Sequence, residues 1–159
     1  MKPVQSVRVR YDLVGAGWAN AHLILDGTVT IITASNNTDA LGSLLTAAGS
    51  LAQGQKDARC TWEGERNETR WVFNWRADGL RLRVLEFGMN ERFWDDKDGK
   101  VLADVIVDRP QFIRAVGRAA EDVLYHHGVD GYRAMWRSHP FPLTRLAELR
   151  VAFQNPRAA

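Results

Sequence analysis

Cysteine is almost missing from this chain. Cys60 stands alone among 159 residues, so neither an internal disulfide nor a thiolate zinc cluster can form. That usage fits a reducing compartment, and a cytoplasmic protein is expected. No apolar run approaches the ~20 residues that cross a bilayer, so no membrane contact is expected. The opening Met1-Lys2-Pro3-Val4-Gln5-Ser6 has no apolar stretch, and no signal peptide is expected.

An excess of either charge is also missing. The chain carries 21 basic and 19 acidic residues, for a net charge of +2. A dedicated DNA- or RNA-binding domain usually has a clear basic surplus, so nucleic acid is not the expected partner. Lysine is scarce: only Lys2, Lys56, Lys97 and Lys100 occur, and arginine supplies the rest. Two accounts fit this bias, a coding preference or bidentate recognition of carboxylate or phosphate.

The motifs of common chemistries are missing too. His126 and His127 are adjacent on a helical stretch, so their side chains diverge and cannot easily share an ion. Asp95-Asp96-Lys97-Asp98-Gly99-Lys100 resembles a calcium loop. Placing Gly99 at the loop's sixth position, however, puts Trp94 and Val105 where oxygen ligands are required. Gly15-Ala16-Gly17 lacks the third glycine and the following helix of a dinucleotide fingerprint. No nucleophile elbow or phosphate-binding loop is present. Cys60 falls on the inward parity of a strand, as a core thiol would. No catalytic, cofactor-binding or metal-ligating residue is therefore assigned.

What remains is ordinary globular material. Hydrophobic residues make up 45% and charged residues 25%, enough for one core. Val7, Val9, Tyr11 and Leu13 alternate with Ser6, Arg8, Arg10 and Asp12, the period of a half-buried strand. A second strand is expected over 18–25 and a third over 28–33, joined by the hairpin signal Asp26-Gly27. The period then becomes helical over 38–53, through Leu41, Leu44, Leu45, Ala48 and Leu51, with Asn36, Asn37 or Thr38 as cap and Gly54 as stop. Four more strands follow, marked by Ala58, Cys60, Trp62; by Trp71, Phe73, Trp75; by Leu80, Leu82, Val84; and by Val101, Ala103, Val105, Val107. A helix is predicted over 109–127, capped by Asp108 and stopped by Gly128, then a short one near 132–137 and a last one through Leu143, Leu146 and Leu149. Strands grouped before helices predict an α+β fold. The expected architecture is one antiparallel meander sheet of about six or seven strands, packed on one face by helices. Residues 1–153 form a single domain on this reading, and 154–159 a frayed tail.

Three surfaces or residue sets suggest function. Trp94 follows Phe93 and precedes Asp95 and Asp96; exposed aromatic residues beside charges are typical of interface hot spots, while burial under a loop is the competing account. Arg8, Arg10, Arg70, Arg76, Arg81 and Arg83 share outward parity and would line one face if the sheet were continuous. That face suits an acidic protein or nucleic acid, or merely keeps a solvated sheet soluble. Glu86, His22 and His127 are the candidates if a pocket between sheet and helices serves a small enzyme or ligand-binding protein. Exposed sheet edges also allow a homodimer.

The run Tyr11-Asp12-Leu13-Val14-Gly15-Ala16-Gly17-Trp18, the helix start Asp39-Ala40-Leu41-Gly42, the Trp-rich hairpin and His139-Pro140-Phe141-Pro142 resemble small α+β proteins from GC-rich bacteria to which no function attaches. In size and composition the chain is similar to immunity proteins of bacterial toxin systems. That resemblance implies a non-enzymatic domain that binds one toxin. The expected function is thus protein binding, with Trp94, Asp95, Asp96, Arg70, Arg76, Arg81 and Arg83 as partner-binding candidates and no cofactor.

Overall fold

Apart from one parallel bridge between Pro3 and Ile106, the strands pair with their sequence neighbours, and the pairing stops where a helix intervenes. The computed structural model describes residues 1–154. β1 (Val7–Gly15), β2 (Trp18–Leu25) and β3 (Thr28–Ser35) form one antiparallel sheet in that order. Next comes α1 (Ala40–Ala52), and β4 (Asp57–Glu63), β5 (Asn67–Arg76), β6 (Gly79–Gly88) and β7 (Lys100–Val107) form a second antiparallel sheet. α2 (Arg109–Trp136) and α3 (Leu143–Gln154) complete the described chain. The α+β class is as expected, but the single sheet of six or seven strands is not formed. Alternation records which face of a strand is buried, not which strand lies beside it. α1 diverts the chain between β3 and β4. These strands touch where the Ser35 hydroxyl donates to the Glu63 carbonyl at 2.9 Å. The expected tail falls outside the described residues, except that Gln154 closes α3.

Local chemistry accounts for the elements. Asp26 and Gly27 both take positive φ, 48° and 83°, as the tight hairpin between β2 and β3 requires. α1 is capped by Asp39 rather than by Asn36, Asn37 or Thr38; its carboxylate accepts from the Gly42 N–H at 3.3 Å. Asp108 caps α2 as expected, accepting from Gln111 N–H at 2.9 Å. Gly128 interrupts α2 with φ 67° and ψ 176°. Only glycine enters that region without strain, so the helix kinks there and resumes to Trp136.

One continuous core joins both sheets and all three helices. Leu41, Leu44, Leu45, Ala48 and Leu51 are buried on α1 as predicted. An aromatic seam holds the two sheets together. Tyr11 of β1 meets Trp62 of β4 edge-on at 6.1 Å and Trp136 of α2 at 6.5 Å, and Trp62 tilts against Trp71 of β5 at 5.0 Å. Edge-to-face pairs of this kind add about 0.5–1.5 kcal/mol beyond their buried area. The Trp62 indole N–H donates to Ser43 Oγ at 3.2 Å, tying α1 to the seam. Cys60 is buried beside it, and burial pushes its thiol up to about 12, so it is inert. Trp75, expected in the core, is 38% exposed and lies under the Arg109 guanidinium at 4.1 Å. Among the described residues no helix is long and apolar enough to cross a membrane.

Trp62→Ala removes the ring that both sheets share. Chemical denaturation is expected to show a loss of about 3–5 kcal/mol, whereas Trp75→Ala costs less than half as much.

Candidate functional site

β5 and β6 bury both of their faces at one end, which the alternation pattern did not reveal. Trp71, Phe73, Leu80, Leu82 and Val84 face the main core, while Val72, Leu85 and Phe87 form a second cluster on the reverse face. The segment between β6 and β7 folds back over that cluster. It contains two 3-10 turns, Met89–Glu91 and Asp96–Asp98. Gly99 lets it settle: an added Cβ would stand 2.5 Å from the Phe87 ring. On the opposite parity, Glu86 accepts from the Asn67 amide at 2.9 Å and lies 3.8 Å from Lys100 Nζ.

Arg70 is the clamp under this segment. Its guanidinium lies 3.8 Å from the Phe87 ring centroid. Nε donates to Glu68 at 2.9 Å, Nη1 to the Trp94 carbonyl at 2.8 Å and to Asp96 at 3.2 Å, and Nη2 to the Arg92 carbonyl at 2.6 Å. Only arginine offers that many donors in a fixed plane. Asp96 also takes a fork from Arg59, at 2.9 and 3.2 Å. These hydrogen bonds from Arg59, then those from Arg70, hold the Asp96 carboxyl below its ordinary value against the opposing effect of burial. At the near end the Gly88 N–H donates to Glu91 at 2.7 Å, and the Trp94 N–H to the Glu91 carbonyl at 2.9 Å.

The clamped segment holds its aromatic residues out. Phe93 is 96% exposed and Trp94 48%. With Asp95 and Asp98 they line an open depression of about 530 Å³. An exposed tryptophan and phenylalanine on a tethered backbone form an apolar knob flanked by carboxylates.

The predicted arginine face is split between two sheets, with Arg70, Arg76, Arg81 and Arg83 sharing the reverse face of the second. Arg8 and Arg10 belong to the first sheet, and the others to the second. Arg70 is buried at 8% exposure rather than displayed. Arg81 forks onto Asp104 at 2.8 and 2.9 Å, Arg83 donates to Asn74 at 3.1 Å, and Arg76 lies 3.5 Å from Asp78. Asp104 is held below its ordinary value, first by the Arg81 hydrogen bonds. Of the predicted site residues the structure brings Arg70, Trp94, Asp95 and Asp96 together and groups Arg76, Arg81 and Arg83 around Asp104, farther along the same face of the sheet. Sequence reading did not single out Phe93 or Arg59; the Phe93-Trp94 doublet amid charges was the available signal for the first.

The three residues considered for an enzyme lie on separate surfaces. Glu86 lies two residues before the end of β6, beside Asn67 and Lys100. His22 lies on the solvent face of the first sheet, 3.5 Å from Asp12. His127 lines a cleft between β1 and α2, together with His126 and Asp122. Among the described residues no group of three or more His, Cys, Asp or Glu is placed to hold a metal ion. No protein-family model, curated protein or solved structure matches the chain.

Arg70→Ala strips the clamp and leaves Glu68 and two carbonyls short of a donor. Amide exchange over 92–96 is expected to rise, and stability to fall by about 3–5 kcal/mol, the cost of breaking a buried ion pair. Asp96 gives the clamp a pH dependence. A carboxyl whose folded pKa is depressed stabilises the fold above its ordinary value, here 3.8, and loses that contribution as pH falls through the folded pKa. The Trp94 indole resonance is expected to stay constant above about pH 5 and to shift as acid releases the segment. Asp96→Asn should abolish that acid step.

Proposed function

We propose that this chain is a non-enzymatic protein-binding domain whose contact point is the Phe93–Trp94 knob. The observation that carries the reading is the pairing of almost full exposure at Phe93 with a buried arginine, Arg70, fixing the backbone on both sides of it. Exposing a phenylalanine and half a tryptophan runs against the burial of aromatic surface that drives folding. Fixing the segment before contact reduces the ordering cost of association. Large aromatic side chains are also the commonest interface hot spots. Asp95 and Asp98 at the rim favour a partner with an apolar pocket bordered by basic side chains. An immunity-type inhibitor of a bacterial toxin is the form of this reading suggested by the chain's size and composition.

Affinity capture from native lysate, with mass spectrometry, tests the proposal. One stoichiometric partner is expected with the wild-type chain. Phe93→Ala with Trp94→Ala should weaken its binding by about 100-fold or more, as loss of two hot-spot residues does. Arg81→Ala should have little effect. Equal retention of that partner by the double variant would contradict the reading.

A further inference from the structure

We propose that the chain self-associates through β3, whose free edge pairs antiparallel with β3 of a second copy and joins the two three-stranded sheets into one. This surface is independent of the aromatic knob. The two sheets have their edges at β1 and β3 and at β4 and β7. Other segments of the chain lie against three of these strands. α2 packs along β1, with Val7, Tyr11, Leu13, Ala115 and Ala119 buried in the shared core, and a register shift between Leu13 and Gly15 distorts the end of that strand. α1 packs along β4. The Val4 N–H donates to the Ile106 carbonyl of β7 at 2.9 Å, and Pro3 bridges the same residue. β3 meets β4 at its last residue, Ser35. Before that it is bare, with Thr28, Val29, Ile31 and Thr33 exposed.

The register shows which backbone groups of β3 are open. The Asp26 N–H donates to the Ser6 carbonyl at 3.1 Å, and Arg8 lies opposite Ile24. Bonded and non-bonded pairs alternate along an antiparallel ladder, so Ile24, His22 and Asn20 bond to β1. Leu25, Leu23, Ala21 and Ala19 turn the other way and bond to Thr28, Thr30, Ile32 and Ala34, which lie opposite them. Val29, Ile31 and Thr33 therefore point their N–H and C=O groups away from β2. Among the described residues, no backbone hydrogen bond from another segment reaches those groups.

The chemistry of the edge selects a second copy as its occupant. Monomeric proteins guard an open edge with charge, proline or a bulge. β3 has none of these: Thr28–Ser35 carries no charge and no proline, and its register with β2 is unbroken. The side chains beside the open groups include Val29, 50% exposed, and Ile31, 56% exposed, both β-branched and apolar, as favourable cross-strand pairs require. Charge does not oppose self-pairing. Asp26, at the hairpin tip, is held towards β1 by the Gln5 and Ser6 N–H groups at 2.9 and 2.8 Å. Arg8 and Arg10 lie two strands away, roughly 10 Å. A two-fold axis at Ile31 sets Ile31 opposite its counterpart and Val29 opposite Thr33 of the second copy, which uses every open residue. Such a contact is self-complementary and leaves no free β3 edge for a third copy.

Sedimentation and amide hydrogen exchange of the full chain, from micromolar to millimolar concentration, test the proposal. A monomer–dimer equilibrium is expected. The amides of Val29, Ile31 and Thr33 should be protected in the dimer and exchange freely on dilution. Those of Thr30 and Ile32, bonded to β2, should stay protected throughout. Ile31→Lys sets two like charges opposite each other across the axis and should weaken the dimer about tenfold or more. Ile31→Pro removes an outward N–H without costing a ladder bond to β2, as an edge strand tolerates, and should stay monomeric throughout. Both variants should keep the circular dichroism of the dilute wild-type chain. The proposal is overturned if the chain remains monomeric at millimolar concentration, if its dimer leaves these three amides unprotected, or if either variant, once folded, dimerises as the wild type does. It is also overturned if the three amides gain protection only in a complex with a different protein, which assigns the edge to that protein.

Discussion

Two sheets with no shared ladder must be held together by side chains, and here the aromatic seam of Tyr11, Trp62, Trp71 and Trp136 does so. Backbone hydrogen bonds fix each sheet internally. Across the gap there is mainly packing. The seam draws on β1, β4, β5 and the last turn of α2, so these elements are positioned only when all are present. Of its polar atoms, the Trp62 indole N–H reaches Ser43, and the Tyr11 hydroxyl interacts with that of Tyr132. Burial raises both tyrosine hydroxyls above their ordinary range, so they stay neutral near neutral pH.

The second sheet carries the other structural commitment. Its reverse face is apolar at Val72, Leu85 and Phe87, and something must cover it. The β6–β7 segment does so, but a short irregular segment has carbonyls that a buried site leaves unpaired. Arg70 answers that need by donating to two of them while its plane stacks on Phe87. Covering the face and fixing the segment are one act, and the position of Phe93 and Trp94 follows from it.

Much of this was legible in the residues. The strand alternation of β1, the helical stripe of α1, the caps at Asp108 and the break at Gly128 are local signals, and the structure keeps them. The division into two sheets was not legible, because alternation in β3 and β4 says nothing about their adjacency. Arg70 was read as solvent-facing because its parity opposes Trp71 and Phe73. That parity is correct, but the second face is buried by a segment distant in sequence. The same non-locality hid the acids that pair Arg81 and Arg59. The aromatic doublet at 93–94 was visible, whereas its anchoring depended on residues more than twenty positions away.

Backbone order parameters across 88–100 test the central claim most directly, since that claim is that the knob is held rigid before any partner arrives. The account predicts values near 0.85 at Arg92–Asp96, equal to those in β5 and β6. Values below about 0.6 there, with rigid flanking strands, would contradict it.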